Sequence, residues 1–168
     1  LLAGAGFAPQ QDAARGYDHG TFIPLKVAFP DADIPVLQLS LLQSLDAADH
    51  VRLGQALAPL RDEGVLIVGS GMSYHNMRGY GDPRSGPAAA EFDRWLSETV
   101  ALPTAERDAR LANWATASGP AGRLSHPPRA EEHLLPLHVA AGAAGEGRGA
   151  KVFGDRVMGV DISAFRFD

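Results

Sequence analysis

The sequence predicts an α/β domain in which a layered sheet is flanked by helices. Two apolar runs, 36–41 and 65–68, have the composition of buried strands, and the near-continuous run at 65–68 is typical of a sheet covered on both faces. Other segments place their apolar residues at helical spacing. Because strands that alternate with helices build layered sheets, and 168 residues can enclose one core, we expect residues 1–168 to form a single domain.

The individual elements are predicted from periodicity and from the residues that end them. Phe22, Leu25 and Phe29 recur at helical spacing before Pro30, and Gly64 ends a longer amphipathic segment. The predicted order is a helix at 21–29, a strand at 36–41, a helix at 46–64, a strand at 65–68, helices at 87–102 and 104–117, a loop at 118–125, a helix at 131–145, and two strands between 151 and 167 joined by a turn at Gly154-Asp155.

Composition excludes several classes of function. The net charge is −5, so no basic stripe is present that would bind nucleic acid. No apolar run is long enough for a transmembrane helix, and we expect no membrane contact and a cytoplasmic location. The absence of cysteine excludes thiolate nucleophiles, disulfides and cysteine-based zinc sites.

The first residues, "LLAGAGF", do not include an initiator Met. They are typical of a helix that ends on glycine, and they lack the basic residues that open a signal peptide. We therefore expect the sequence to start inside a domain, with an N-terminal segment absent.

The candidate chemistry lies with six histidines: His19, His50, His75, His126, His133 and His138. His133 precedes Pro136, which a helix tolerates only in its first turn, so a helix should begin near 131–133. The positive end of the helix dipole disfavours imidazolium, and neutral imidazole is the form that binds a metal. The alternative is that His133 is only a polar cap.

His75 lies in "VLIVGSGMSYHNMRG", just after a predicted strand. Ligands bind at the carboxyl ends of strands in open α/β sheets, and Gly69 and Gly71 would let the backbone approach a ligand. The alternative is a loop histidine hydrogen-bonded to backbone. A dinucleotide loop is a poor match, because Tyr74 occupies the third glycine position. No G-x-S-x-G motif supports a serine hydrolase.

The other histidines have simpler interpretations. His50 is expected on the solvated face of its helix, and His138 shares a helical stripe with Leu134 and Ala141, which predicts a packed or interface histidine.

Three blocks, "YDHGTFIPLKVAFPDADIPVLQLSL", "GVLIVGSGMSYHNMRG" and "HPPRAEEHLLPLHVAAGAAGE", occur in this order, followed by the closing strand "GVDISAFRF". Together they resemble the class III extradiol ring-cleavage dioxygenases, in the DOPA-dioxygenase-type branch of the LigB-like family. The resemblance implies an enzyme that opens the ring of a catechol-type substrate with O2, using non-haem Fe(II) or, in some members, Zn(II). A homodimer is also expected, since many relatives are dimers.

The resemblance also implies roles for individual residues. His133 matches a metal ligand, with Glu132 as the second choice. His75 matches the acid/base histidine, which some members use as a ligand, and His19 matches a histidine that contacts substrate or dioxygen. Candidates for substrate contact are His126, Tyr74, Arg78 and Arg129. The family supplies two further histidine ligands ahead of "DHGT", where this sequence has no histidine.

Two other functions remain open from the sequence. The chain could be a non-catalytic subunit that keeps the fold without the metal, or a metal-dependent hydrolase on a related scaffold. A subunit would bind no metal, and a hydrolase would need no dioxygen.

Overall fold

The computed structural model describes all residues, 1–168, and contains seven α-helices, two short 3-10 helices and one β-hairpin. The helices are α1 His19–Ala28, α2 Ala47–Leu57, α3 Gly86–Val100, α4 Thr104–Ala112, α5 Trp114–Ala117, α6 Gly119–Ser125 and α7 Leu135–Ala143. The 3-10 helices are Ala3–Ala5 and Ala58–Glu63, and the strands are β1 Gly149–Val157 and β2 Val160–Phe167. The predicted α/β class is confirmed, with a small sheet.

The core lies between the helices, and α3 contributes its largest side chains. The predicted inward residues Phe92, Trp95, Leu96 and Val100 are all buried. Helices α2 and α7 pack closely, because Gly54 lies against the backbone of α7 and Gly142 lies against the backbone of α2, where a Cβ atom would clash.

A buried arginine joins the helices to the hairpin. Arg107 of α4 has no exposed side-chain surface, and it donates to the carbonyl oxygens of Gly145 and Gly147 between α7 and β1. Its guanidinium also pairs with Asp108 and lies over the ring of Phe167 at the end of β2. Burial of this charge is tolerated because its donors find oxygen acceptors.

The hairpin is antiparallel, with an irregularity between Lys151 and Phe153, and it packs on α3. Val157 pairs with Val160, and Met158 and Gly159 form the connecting turn with φ values of 49° and 89°. Positive φ at both central residues is the geometry that two-residue hairpin turns require. The predicted turn at Gly154-Asp155 is therefore wrong, because those residues lie inside β1.

The two predicted early strands are not strands in the structure. Residues 36–41 and 65–68 form no strand ladder, and Leu37 and Leu66 are 85% and 74% exposed. A strand exists only where a neighbouring strand takes its backbone hydrogen bonds, and neither run has such a neighbour. Both runs are apolar in composition, but the prediction that they are buried strands of a sheet is wrong.

Three further predictions are corrected. Residues 118–125, expected as a loop, contain α6, whose early Pro120 suits a first helical turn. Helix α7 begins at Leu135, so His133 precedes it. His50, which was expected on the solvated face, is buried. Its burial is tolerated because Nε2 accepts from the Leu42 N–H and Nδ1 donates to the Asp46 carbonyl.

None of the helices combines the length and the apolar character that crossing a membrane requires.

Acid should destabilise this fold. Burial is the main cause that lowers the pKa of His126 and of His138 to about 4, from an ordinary value near 6.5. Between these values the unfolded chain binds more protons than the folded chain, so the free energy of unfolding falls as pH falls. We expect a lower unfolding midpoint at about pH 5 than at about pH 7, and a weaker pH dependence in His138→Leu. Equal midpoints at both pH values would contradict this assignment.

The exposed apolar runs should cause self-association of the 168-residue polypeptide when it is purified alone. Unpaired extended backbone with apolar side chains is a template for pairing with another chain. The double substitution Leu37→Lys and Leu66→Lys should shift the polypeptide toward monomer in light scattering after size exclusion. Met158→Lys, which changes an exposed residue of the hairpin turn, is the control and should leave the mass unchanged. A monomeric wild-type polypeptide at high concentration would oppose this expectation.

Candidate active site

The segment that carries His75 is a loop that contacts the first turn of α7 and the residues just before it. Gly69 lies against the carbonyl group of Pro136, and Gly71 lies against the carbonyl group of His133. A Cβ atom on either glycine would clash with that carbonyl. The Met72 N–H donates to the His133 carbonyl at 2.9 Å. These glycines therefore allow approach to another backbone segment, whereas the sequence had suggested approach to a ligand.

The far end of the same loop is fastened to α6. The His75 N–H donates to the Ser125 carbonyl at 3.0 Å, and the Asn76 side-chain amide donates to the Leu124 carbonyl at 2.8 Å. The loop 72–76 is thus held at both ends by the segment 124–133. As a result the imidazole rings of His75 and His133 stack, with centroids 3.5 Å apart and planes 20° apart.

Glu132 completes a cluster of three metal-binding side chains. One of its carboxylate oxygens lies 3.7 Å from Nδ1 of His75, and the ligand atoms of His75, Glu132 and His133 all lie within 4.8 Å of one another. The adjacent Glu131 points elsewhere, because it pairs with Arg123 at 2.9 Å. Glu132, the second-choice ligand of the sequence analysis, is therefore the glutamate that lies beside the two histidines.

Burial and the neighbouring histidines favour the neutral form of His133. The pKa of His133 is lowered, mainly by burial and then by the nearby His75, with a smaller lowering from His19 and an opposing effect of the Glu132 carboxylate. Two imidazolium rings at this separation would repel each other, and the charge of His75 is one of the causes that lower the pKa of His133. Neutral imidazole is the form that can bind a cation.

The residues fit a cation in two respects. The Nδ1 atoms of His75 and of His133 are both buried without a hydrogen-bond partner, which is costly for polar atoms unless something else satisfies them. Imidazole nitrogens and a carboxylate oxygen are also ligands that non-haem Fe(II) oxygenases use in sites with open coordination positions. Imidazole suits zinc as well, so the donors alone do not distinguish the two metals.

His19 lies near this cluster but outside it. It is the first residue of α1 and is exposed, and Asp18 caps the helix by accepting from the Thr21 N–H. Gly20 lies close to Ser70, at the start of the loop that leads to His75. His19 is also near enough to His133 to contribute to the lowering of its pKa. The structure therefore brings His75 and His133 into contact and places His19 at the edge.

The four residues predicted to contact substrate differ in their exposure to solvent. His126 has no exposed surface and lies behind the cluster, and Tyr74 is 2% exposed and packs with Ala89 and Val160. Both rings are buried in the core. Arg78 and Arg129 are exposed, as contacts to an acidic substituent would require.

A separate cleft of about 580 Å³ lies between the hairpin turn and the start of α3, where Gly86, Arg156 and Met158 line it. None of the candidate histidines contributes to its walls.

The sequence profile of one protein family, described as the catalytic LigB subunit of aromatic ring-opening dioxygenase, matches residues 1–161. The protein named 4,5-DOPA dioxygenase extradiol from Beta vulgaris is 46% identical over 159 residues, which cover 90% of this chain and 56% of that protein. Its namesake from Portulaca grandiflora is 43% identical, over 87% of this chain and 53% of that protein. The chain thus spans about half the length of these curated relatives.

A solved structure shares the fold. The crystal structure of an uncharacterized protein from Escherichia coli K12 superposes with a TM-score of 0.78 at 33% identity, over 92% of this chain and 64% of that chain.

Metal binding can be tested on the cluster directly. We expect His133→Ala and Glu132→Gln each to weaken binding of Zn²⁺ by about tenfold or more, since each removes a donor atom of the cluster. Calorimetric titration of the complete protein measures this. Glu131→Gln is the matched control, because its carboxylate pairs with Arg123, and it should bind the ion as the wild type does. Equal losses in the Glu131 and Glu132 variants would contradict the assignment.

Proposed function

This chain belongs to the family of the catalytic LigB subunit of aromatic ring-opening dioxygenases, and from that premise we propose that it carries part of an active site for extradiol cleavage. The substrate class is a catechol-type aromatic and the co-substrate is O2. The observation that carries the proposal is the stacked pair of His75 and His133 beside Glu132, with an unpartnered, buried Nδ1 on each ring.

His133 is the residue of this chain that we assign to the metal, with Glu132 as the adjacent carboxylate donor. A bound Fe(II), or Zn(II) as the alternative, would supply Lewis-acid chemistry that makes a catechol hydroxyl more acidic. The lowered pKa of His133 supports this assignment, because neutral imidazole is the form that binds a metal.

His75 is assigned as the residue that takes and returns a proton. Its Nδ1 is buried and lies 3.7 Å from a carboxylate oxygen of Glu132. The side chain as a whole is 19% exposed, so part of the ring remains accessible to a substrate hydroxyl. An imidazole can both accept and donate a proton during one turnover.

His19 is assigned to contact with substrate or dioxygen. It lies at the exposed start of α1, at the edge of the cluster, and it carries no hydrogen bond that would hold it in the core. A donor at this place could orient a polar oxygen without competing for the metal.

We expect His75→Phe to lower the turnover of a catechol by about 10²- to 10⁴-fold, because it removes a general acid/base, while bound iron stays near the wild-type amount. The full-length protein is loaded anaerobically with Fe(II), mixed with catechol and exposed to air. The coloured, conjugated semialdehyde is followed by absorbance, and iron is measured by elemental analysis.

The two measurements separate the alternatives. If the iron-loaded wild type produced no coloured product from any catechol, the enzymatic proposal would be wrong. If His75→Phe lost iron together with turnover, His75 would be a ligand, and its role as acid/base would have to be abandoned.

A further inference from the structure

We propose that His126 is a positioning residue for His75: it holds the backbone of Ser73 and so keeps His75 stacked on His133. The catalytic consequence of this role rests on the proposed function, whereas the structural role does not. His126 is not part of the three-residue cluster and acts through the loop 72–76.

Two hydrogen bonds join His126 and its neighbour to the loop. Nε2 of His126 lies 2.9 Å from the Ser73 carbonyl oxygen, and the His75 N–H donates to the Ser125 carbonyl at 3.0 Å. Since a carbonyl oxygen only accepts, Nε2 of His126 is the donor and carries the ring proton. Residues 125–126 and 73–75 are therefore joined by one side-chain and one backbone hydrogen bond, with one donor on each segment.

The surrounding core prevents the His126 ring from turning away. The ring is fully buried and meets the edges or faces of two aromatic rings, Phe92 at 5.5 Å and Trp114 at 6.0 Å between centroids. A donor held this rigidly fixes the position of the carbonyl that it binds. A direct contact between His126 and a substrate has no support in this geometry, because no surface of the side chain is accessible.

Ser73 is also held from its other side. Its hydroxyl oxygen accepts from the Ser163 N–H of β2 at 2.8 Å, and the Ser163 hydroxyl is bound to Asp93 of α3. Asp93 in turn pairs with Lys151 of β1 at 2.6 Å. Ser73 is thus fixed between α6 and the hairpin, two residues before His75. Removing the His126 donor would release one of these two attachments.

The test compares variants that differ in the donor. His126→Gln keeps an N–H near the position of Nε2, whereas His126→Leu removes it and His126→Asn places it too close to the main chain to reach Ser73. His138→Leu is the matched control, because His138 is equally buried and its Nε2 lies 3.0 Å from the Leu111 carbonyl, outside the loop.

In the full-length, iron-loaded protein we expect His126→Leu and His126→Asn to lower kcat by about 10- to 100-fold with KM nearly unchanged, since misplacing a catalytic group affects the transition state most. His126→Gln should recover most of kcat. His138→Leu should lower the unfolding midpoint comparably and leave kcat unchanged.

Hydrogen exchange at the His75 amide gives a readout that needs no activity. We expect exchange at this amide to rise about tenfold in His126→Asn relative to His138→Leu, because the paired hydrogen bond to Ser125 loses its support. If His126→Leu does not fold, the Asn and Gln variants make the same comparison. Unchanged exchange at the His75 amide in His126→Asn, or an equal loss of kcat in His138→Leu, would overturn the proposal. If the wild type opens no catechol, the proposed function fails and the exchange measurement alone decides the role of His126.

Discussion

The candidate site depends on the attachment of the loop 72–76 to the segment 124–133. Hydrogen bonds from Met72 and His75 to the carbonyls of His133 and Ser125 bring together two histidines that are distant in the sequence. Glycines at 69 and 71 make this approach sterically allowed, because any larger residue would collide with the backbone leading into α7. The stacking of His75 on His133 is a consequence of this contact between two backbone segments.

The same contact explains the electrostatics of the site. Bringing the rings together partly removes them from water and places each beside the other's charge, and both effects favour neutral His133. Glu132 opposes them, so the cluster joins a His133 ring whose pKa is lowered with a carboxylate that attracts positive charge. Buried, unpartnered nitrogens next to a free carboxylate form an environment that a cation would stabilise.

Helices were the part of the fold that could be predicted, since their hydrogen bonds and their apolar periodicity are local. The inward residues of α3 and the end of the second predicted helix at Gly64 follow from spacing and from a left-handed glycine. Strands were harder to predict: the two strands of the C-terminal hairpin are confirmed, but a strand needs a partner that its own sequence does not specify. The apolar runs 36–41 and 65–68 show this, as does the hairpin turn, which lies at Met158-Gly159 where both residues adopt positive φ.

By itself the sequence determined which residue types were available for chemistry. The motif blocks identified His75 and His133, and they named Glu132 as the second choice, because these identities are written in the chain. Tertiary structure alone decided that Glu131 pairs with Arg123 and that His126 and Tyr74 are enclosed by the core. The direction and the burial of a side chain depend on elements far away in the sequence. The carbonyls of Ser73 and Ser125 belong to the backbone, which every residue has, so the sequence does not indicate that they accept these hydrogen bonds.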